Sequence, residues 1–363
     1  MDAMPRWAEV VLVPLISLLL AMVISIFVII AIGEDPFNAL GIMADASLGS
    51  TQGIGYTLYY ATNFIFTGLA VAVAFHARLF NIGGEGQAML GGVGVATVCL
   101  YFPLPHWTIA LVVAAAASAL LGAAWAAIPA YLQAKRGSHI VITTIMFNFI
   151  ASGLLVYLLR EVYKPDGSME PASPRFPEPT HLPSFEDMAN AIGWDAFTSS
   201  PANITFFVAL LACFAIWLLI WHTRLGYEIR ALGHSETAAK YAGINPVKLT
   251  MIAMLISGGL AGMMAINNVM GEAERLVLNA TEGAGFIGIA VALMGRNHPV
   301  GIIIAAVLFG MLYQGGAVLA QDTSIPVQMI VVIQALVIMF TGALDNLVRA
   351  PLQRVFLSMR KAT

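Results

Sequence analysis

The sequence predicts an all-α protein that crosses a lipid bilayer about ten times. Of its 363 residues, 59% are hydrophobic and only 10% are charged, whereas about a quarter of the residues in a typical soluble domain are charged. The apolar residues form long runs, and a membrane helix needs about 20 of them. Because the charged residues lie mainly between these runs, the chain is suited to lipid rather than to water.

Ten runs are candidates for membrane spans, and together they predict one transmembrane domain over residues 1–363. Run 9–32 is apolar almost throughout, unlike a cleaved signal with its short apolar core, so we expect a retained first span. Run 283–296 is the shortest and is rich in glycine. The ten runs are 9–32, 56–77, 86–104, 107–133, 140–160, 203–222, 247–269, 283–296, 299–320 and 326–345.

The positions of arginine and lysine predict that both termini lie in the cytoplasm. With the first span starting inside, thirteen of the 17 basic residues fall on inside segments. Cytoplasmic loops of membrane proteins carry an excess of these residues, so the reverse orientation is disfavoured. The inside residues would be Arg6, Arg78, Lys135, Arg136, Arg224, Arg230, Lys240, Lys248, Arg296, Arg349, Arg354, Arg360 and Lys361.

Segment 161–202 is the one long segment predicted to lie outside. It contains seven prolines and is acidic on balance. Because proline breaks helices, this density excludes long helices from the segment. Two interpretations remain open, a solvated connector and a docking surface for an external protein.

The sequence contains no motif for nucleotide or metal chemistry. The phosphate-binding pattern G-x-x-x-x-G-K-S/T is absent from it. Its seven histidines lack the spacing of metal ligands, and Cys99 and Cys213 lie within apolar runs. We therefore expect no catalytic residue, metal or cofactor in this chain, and any ATP chemistry must come from another chain.

A glycine-rich motif follows the second predicted span. It reads Phe80-Asn81-Ile82-Gly83-Gly84-Glu85-Gly86-Gln87. Glycine inside a helix costs about 1 kcal/mol relative to alanine, so we expect the helix to be broken here. A carboxylate in the membrane is costly unless it is paired or hydrated. Glu85 either caps the third span, where the helix dipole favours an anion, or acts directly in a pathway or gate.

A second motif lies in a predicted inside loop. Ser235 is a good N-cap, Glu236 and Lys240 match the helix dipole, and Gly243 suits the C-terminal end. The pattern predicts a helix of about two turns over residues 235–243. Such a short helix is marginal in water, so we favour a docking helix over a connector that lies on the bilayer.

Polar side chains also occur within the predicted spans. Thr144, Asn148 and Ser152 recur every four residues and therefore lie on one helical stripe, which should face protein or water rather than lipid. Hydrogen bonds between helices explain each residue singly, whereas together they suit a pathway for an uncharged polar solute. The candidate pathway residues are Asn63, Thr67, Thr144, Asn148, Asn267 and Asn268.

Both motifs resemble those of a known family. Residues 80–87 are similar to the F-N-I-G-x-E-G-Q signature of permease subunits of ABC importers for nucleosides and simple sugars, in the branch that works with basic-membrane-protein-like lipoprotein receptors. Residues 230–244 are similar to R-A-x-G-x-x-x-x-A-A-x-x-x-G-I, the stretch that forms the coupling helix of these permeases. The matching residues are Asn81, Gly83, Gly84, Glu85, Gly86 and Gln87 in the signature, and Arg230, Gly233, Ala238, Ala239, Gly243 and Ile244 in the coupling stretch, to which the helix residues Ser235, Glu236 and Lys240 are added.

The resemblance implies an all-α type II importer fold in the inner membrane of a bacterium. ATP and Mg²⁺ would bind to a separate ATPase subunit, and the small residues Ala238 and Ala239 would enter its cleft. A second, similar permease would complete the membrane part, and an extracytoplasmic solute-binding protein would deliver the solute. The form of the signature favours a nucleoside over a sugar.

An ion-coupled secondary transporter of a polar solute is the alternative. Such a transporter needs an ion or proton site near the middle of the membrane, for which Glu85 is the candidate. A membrane enzyme is disfavoured, because the sequence shows no nucleophile with its base and no metal motif.

Overall fold

The structure is a computed structural model that describes residues 12–165, 167–323, 331–333, 335–336, 339–340 and 351–353. Contacts within the chain divide it into two compact units. The larger unit comprises residues 51–310, and the smaller comprises residues 1–50 together with 311–363, as far as these are described.

Thirteen α-helices form most of the described part of the chain. They are α1 (Val13–Ile32), α2 (Pro36–Leu48), α3 (Thr51–His76), α4 (Gly84–Tyr101), α5 (Trp107–Arg136), α6 (Ile140–Glu161), α7 (Phe185–Ala191), α8 (Thr205–His222), α9 (Arg224–His234), α10 (Glu236–Tyr241), α11 (Pro246–Met263), α12 (Ala284–Met294) and α13 (Pro299–Asp322). A π-helix over Ile266–Glu272 follows α11.

Six described helices are long and apolar enough to cross a membrane: α3, α5, α6, α8, α13, and α11 with its π-helical extension. A seventh is reached if Met22–Ala31 and Pro36–Leu48, which are bent by 120°, count as one span. The ten predicted spans are therefore not confirmed. Run 86–104 forms α4, whose first turn is polar, and run 283–296 forms α12, which has only 11 residues. Run 326–345 lies mostly outside the described residues.

Helix α3 forms the centre of the larger unit. In its most apolar stretch 83% of the residues are buried, compared with 28% in α5, α6 and α8. α3 packs against α8, α11 and α12, while α5 packs against α4 and α11. The outer faces of α5, α6 and α8 carry exposed side chains such as Val112, Phe149 and Leu211. Large exposed apolar surfaces of this kind mark contact with a membrane or with another protein.

Helices α5 and α11 approach each other at glycines. A Cβ atom added to Gly262 would lie 2.3 Å from the Ser118 carbonyl oxygen, and one added to Gly122 would lie 2.3 Å from the Gly258 carbonyl oxygen. Gly258 and Gly262 are four residues apart and share one face of α11. Small residues at this spacing let membrane helices pack closely, so only glycine fits at this crossing.

The smaller unit contains α1, α2 and the second half of α13. α1 ends at Gly33, which has a φ of 93°. α2 begins after Asp35, whose carboxylate accepts a hydrogen bond of 2.9 Å from the backbone nitrogen of Phe37. The buried apolar cluster of this unit consists of Ile29, Ala39, Met43, Leu319 and Ile333.

The described part of segment 161–202, which lacks only residue 166, contains no long helix, as its prolines predict. It holds a 3₁₀ turn over Glu178–Thr180 and the short helix α7. The backbone nitrogen of Ser173 donates to the Leu276 carbonyl at 2.9 Å, and that of Phe176 donates to the Glu274 carbonyl at 2.7 Å. The segment is therefore fixed to the chain that follows the π-helix.

Candidate functional site

The chain between α3 and α4 is not helical, although it is buried, with Asn81 only 1% exposed. Residues 79–83 are largely without regular structure. Asn148, which is eight residues or about 12 Å along α6, accepts a hydrogen bond from the Gly86 nitrogen and donates one to the Ile82 carbonyl, both at 2.9 Å. Irregular backbone is tolerated in a membrane only where its polar groups are satisfied. Asn148 satisfies two of them.

The Asn81 side chain uses all four of its hydrogen-bonding positions. Its amide nitrogen donates to Gln87 Oε1 at 2.9 Å and to Ser257 Oγ at 2.8 Å. Its amide oxygen accepts from the Gly83 nitrogen at 2.9 Å and from Gln87 Nε2 at 3.1 Å. Ser257 in turn donates to the Ala70 carbonyl at 2.6 Å. Asn81 thus joins α3, α4 and α11 at one buried point.

The Glu85 carboxylate caps a helix other than its own. Glu85 lies in the first turn of α4, but its carboxylate accepts hydrogen bonds from the nitrogens of Gly283 and Gly285, at 3.1 and 2.9 Å, and from the hydroxyl of Thr281. These donors surround the N-terminus of α12, where the helix dipole stabilises an anion. Of the two interpretations of Glu85, capping is therefore observed, but at α12 rather than at α4.

Helix α12 is long enough to cross only about half of a membrane. Its 11 residues extend about 16 Å, roughly half of the ~30 Å hydrocarbon layer. A Cβ atom added to Gly285 would lie 2.2 Å from the Glu85 nitrogen, and one added to Gly288 would lie 2.5 Å from Thr67. The start of α12 therefore contacts the start of α4 directly. The next turn of α12 packs against α3.

A second buried network surrounds Asn267 in the π-helix. The amide oxygen of Asn267 accepts from Thr205 Oγ1 at 2.6 Å and from Asn203 Nδ2 at 3.1 Å. Its amide nitrogen donates to Asn63 Oδ1 at 2.9 Å and to the Tyr59 carbonyl at 3.0 Å. The network fastens the π-helix to α3 and to the start of α8.

The six predicted pathway residues are all buried in this structure. Both threonine hydroxyls bond to carbonyls one turn earlier in their own helices. Asn268 donates to the Ala280 carbonyl, and its amide oxygen has no hydrogen-bond partner in the described part of the chain. The observed role of these residues is to join elements, and contact with a solute stays a prediction. The exposed fractions of Asn63, Thr67, Thr144, Asn148, Asn267 and Asn268 lie between 0 and 7%.

The short helix predicted over residues 235–243 is present as α10. The Ser235 hydroxyl oxygen accepts a hydrogen bond from the Ala238 nitrogen at 3.3 Å, so Ser235 is the N-cap. Lys240 and Glu236 form an exposed ion pair of 2.6 Å. Both features match the pattern from which the helix was predicted.

The C-terminal end of α10 also follows the sequence. Gly243 adopts a φ of 79°, the left-handed conformation that glycine adopts most easily. The nitrogen of Ile244 donates to the Ala239 carbonyl at 3.0 Å, and that of Gly243 donates to Lys240. This pair of bonds closes the helix in the manner of a glycine C-cap.

The residues of α10 divide into an inner and an outer face. Ala239 is only 2% exposed, whereas Tyr241 is 90% exposed. Ala239 therefore packs against its own chain, and the expectation that it enters a partner's cleft does not agree with this structure. The exposed residues of α10 are Glu236, Thr237, Ala238, Lys240 and Tyr241.

Helix α9 connects α10 to the rest of the larger unit. A Cβ atom added to Gly233 would lie 2.0 Å from the His76 carbonyl oxygen at the end of α3. His76 Nε2 lies 3.1 Å from the Asn297 carbonyl oxygen in the turn between α12 and α13. Arg230 also lies in α9, and its Nε atom is buried without a hydrogen-bond partner among the described residues. Thus α9, α3 and the α12–α13 turn meet beside α10.

A cavity lies on the surface beside α10. Its volume is 280 Å³, and its lining includes Arg78, Gln133, Leu232 and Glu236. Among the described residues no group of three or more His, Cys, Asp or Glu side chains could hold a metal ion.

Nothing in the local sequence marks several residues that complete these networks. Ser257 lies inside an apolar run, and Thr281 lies in a short connection. Their partners Asn81 and Glu85 are 176 and 196 residues away. The missing signal is therefore long-range, and neither periodicity nor spacing could have supplied it.

Replacing Asn148 by alanine should destabilise the larger unit by roughly 2 kcal/mol or more, because two buried backbone groups lose their partners at about 1–3 kcal/mol each. The measurement is the thermal unfolding of the purified chain in detergent. Ser152→Ala, one turn further along the same stripe, is the matched control and should unfold near the wild-type temperature. Equal effects of the two variants would contradict the role of Asn148.

Replacing Gly243 by valine should loosen α10 by about 1–2 kcal/mol, the cost of a left-handed conformation for a residue with a Cβ atom. No atom lies within 4 Å of the added Cβ, so the cost is conformational rather than steric. Amide hydrogen exchange in α10 should be about tenfold faster. Gly243→Asn should show a smaller increase, because asparagine tolerates this conformation better than valine.

Comparison with known proteins places the chain in a family. The family described as branched-chain amino acid transport system / permease component matches residues 53–342. The guanosine ABC transporter permease protein NupP of Bacillus subtilis is 33% identical over 92% of this chain and 93% of its own length. No solved structure matches the chain.

Two further relatives match over most of their length. The glucose ABC transporter permease protein TsgB13 of Haloferax volcanii is 32% identical over 90% of this chain and 86% of its own. The nucleoside ABC transporter permease protein NupB of Lactococcus lactis is 31% identical over 91% of this chain and 90% of its own. These matches confirm the resemblance seen in residues 80–87 and 230–244. The chain belongs to the branched-chain amino acid transport system / permease component family and is a multi-pass permease subunit of an ABC transporter.

Proposed function

We propose that this chain forms part of the membrane pathway of an ATP-driven importer for nucleosides. The similarity to NupP carries the proposal, because it extends over 92% of this chain and 93% of that protein. The similarity therefore extends over nearly the whole of both chains rather than over a single module. NupB, also named for nucleosides, supports the same solute class, whereas TsgB13, named for glucose, keeps a sugar as the second candidate.

In this proposal α10 docks into a separate ATPase subunit. The helix has fixed caps at both ends and is attached to its own chain through Ala239, so it presents a defined outer face. Tyr241 projects from that face and is the largest exposed side chain on it. ATP and Mg²⁺ would bind to the partner, since the sequence lacks a phosphate-binding loop.

The end of the larger unit that carries α10 would face the cytoplasm, where ATP is available. The basic residues support this orientation, because cytoplasmic segments are enriched in arginine and lysine. Both termini would then be cytoplasmic and the protein would lie in the inner membrane of a bacterium. The basic residues of the larger unit predicted on this side are Arg78, Lys135, Arg136, Arg224, Arg230, Lys240, Lys248 and Arg296.

Two further partners complete the proposed importer. The first is a second, similar but non-identical permease, which the resemblance to the family branch implies. The second is an extracytoplasmic solute-binding protein. Segment 161–202 is a candidate docking surface for it, since the segment is fixed in place and exposes Met169, Ile192 and Trp194.

The predicted pathway residues are part of the same proposal. Asn63, Asn148 and Asn267 each join elements that would have to separate for a solute to pass between them. Their amide groups would then be free to exchange hydrogen bonds with the hydroxyl and base groups of a nucleoside. Thr67, Thr144 and Asn268 lie on the same helices and would line the same route.

Vesicles that contain the permease pair and the ATPase, supplied with the solute-binding protein, should accumulate nucleoside only when ATP is present. The purified chain alone should hydrolyse no ATP, because it has no phosphate-binding loop. Uptake that follows an imposed ion gradient without ATP or ATPase would instead establish the secondary-transporter alternative. A sugar that competes with nucleoside uptake would change the solute class but not the mechanism.

Replacing Tyr241 by alanine should abolish co-purification of the ATPase and reduce ATP-dependent uptake by about tenfold or more, because exposed tyrosines are frequent anchors of interfaces. Membrane insertion should be unchanged, since Tyr241 is 90% exposed. The matched control is Tyr157→Ala, an exposed tyrosine near the C-terminal end of α6. If the ATPase still co-purifies with the Tyr241 variant, the docking surface is elsewhere.

A further inference from the structure

We propose that Glu85 is a positioning residue of the transport cycle, which holds the N-terminus of α12 against α4 so that movement at α10 is converted into movement of the pathway. The inference rests on the proposed function, and in particular on the docking of an ATPase at α10. It assigns to Glu85 a task that differs from solute binding and from ion coupling.

The first argument is the chemistry of the contact. A carboxylate can only accept hydrogen bonds, and three donors point to that of Glu85: the Thr281 hydroxyl and the nitrogens of Gly283 and Gly285. Glu85 forms no ion pair within the described part of the chain. The carboxylate is therefore matched to the N-terminus of α12 and to its dipole, not to a lysine or arginine.

The second argument is the burial of the contact. Glu85 is only 6% exposed and Thr281 only 5%, and buried polar groups without a partner are costly. Without the carboxylate the start of α12 would lose its acceptor. Gly285 also lets the backbones of α4 and α12 touch, because any side chain there would collide with Glu85. The two helix starts therefore form one tight joint.

The third argument is that α12 leads from this joint to α10. Its C-terminal end continues into the turn that contains Asn297, whose carbonyl oxygen lies 3.1 Å from His76 Nε2. The carbonyl of His76 contacts α9 at Gly233, with no room for a Cβ atom. The next residues after α9 are Ser235 and the start of α10. A continuous series of close contacts thus joins α10 to Glu85.

The fourth argument is that α12 also lies along the central helix. Gly288 faces Thr67 without space for a side chain, and Thr67 is one turn from Asn63, which bonds to the π-helix at Asn267. Displacement of α12 would therefore shift the polar residues of α3. If the Glu85 joint is lost, α10 can still move with the ATPase, but α12 no longer transmits that movement to one fixed position.

The test compares uptake with ATP hydrolysis in the complete complex reconstituted in vesicles. Glu85→Gln keeps the size of the side chain but replaces one acceptor oxygen by an NH₂ donor, which cannot accept from a backbone nitrogen. We expect nucleoside uptake to fall by about tenfold or more, while the ATPase rate of the assembled complex stays within about twofold of wild type. Glu161→Gln, an exposed carboxylate at the end of α6, should alter neither quantity.

A second pair of variants covers the case in which Glu85→Gln does not assemble. Thr281→Val removes one of the three hydrogen bonds and should lower uptake relative to ATP hydrolysis, whereas Thr281→Ser keeps the hydroxyl and should restore the ratio. Normal uptake in Glu85→Gln, or an equal fall of uptake and hydrolysis in both Glu85→Gln and Thr281→Val, would overturn the inference. Absence of ATP-dependent uptake in the wild-type complex would instead refute the proposed function.

Discussion

The structure depends on one constraint, that every backbone polar group at membrane depth must find a partner within the protein. Most of the chain meets it by forming helices. Residues 79–83 and the start of α12 do not, and each relies on a few side chains. Asn81 and Asn148 satisfy the irregular backbone between α3 and α4, and Glu85 satisfies the start of α12. These few polar residues therefore permit an architecture that helices alone could not form.

The polar contacts in turn require close approach of backbones. The Glu85 carboxylate reaches α12 because Gly285 leaves space for the backbone of α4. At the crossing of α5 and α11 the glycines at 122, 258 and 262 bring the helices equally close without any polar side chain. Small residues thus serve two ends, namely van der Waals packing at one crossing and hydrogen bonding at the other. Both explain why glycine is so frequent in a chain made of helices.

Local sequence patterns predicted the helix ends and caps, because these depend on neighbouring residues. Run 107–133 became α5 over Trp107–Arg136, because charges and caps end a helix where the sequence changes. The break near Gly83 and the caps of α10 followed for the same reason. Counting apolar residues did not reveal that run 283–296 forms a helix of only 11 residues, since a short apolar helix has the same composition as part of a full span. Of the two alanines predicted to lie on the docking surface of α10, Ala238 is exposed and Ala239 is buried, because a two-turn helix gives no periodicity from which to choose the buried face.

Asn81, Asn63 and Glu85 each form a hydrogen bond to a residue that is synthesised much later. Their partners Ser257, Asn267 and Thr281 are 176, 204 and 196 residues further along the chain. During synthesis at about 5–20 residues per second, α3 and α4 are complete roughly ten seconds or more before these partners emerge. In that interval Asn63 and Glu85 lack the partners Asn267 and Thr281, and Asn81 lacks one of its four hydrogen bonds, the one to Ser257. During biogenesis of this permease, the insertion machinery or water must therefore supply hydrogen-bond partners to those groups until the later residues are made.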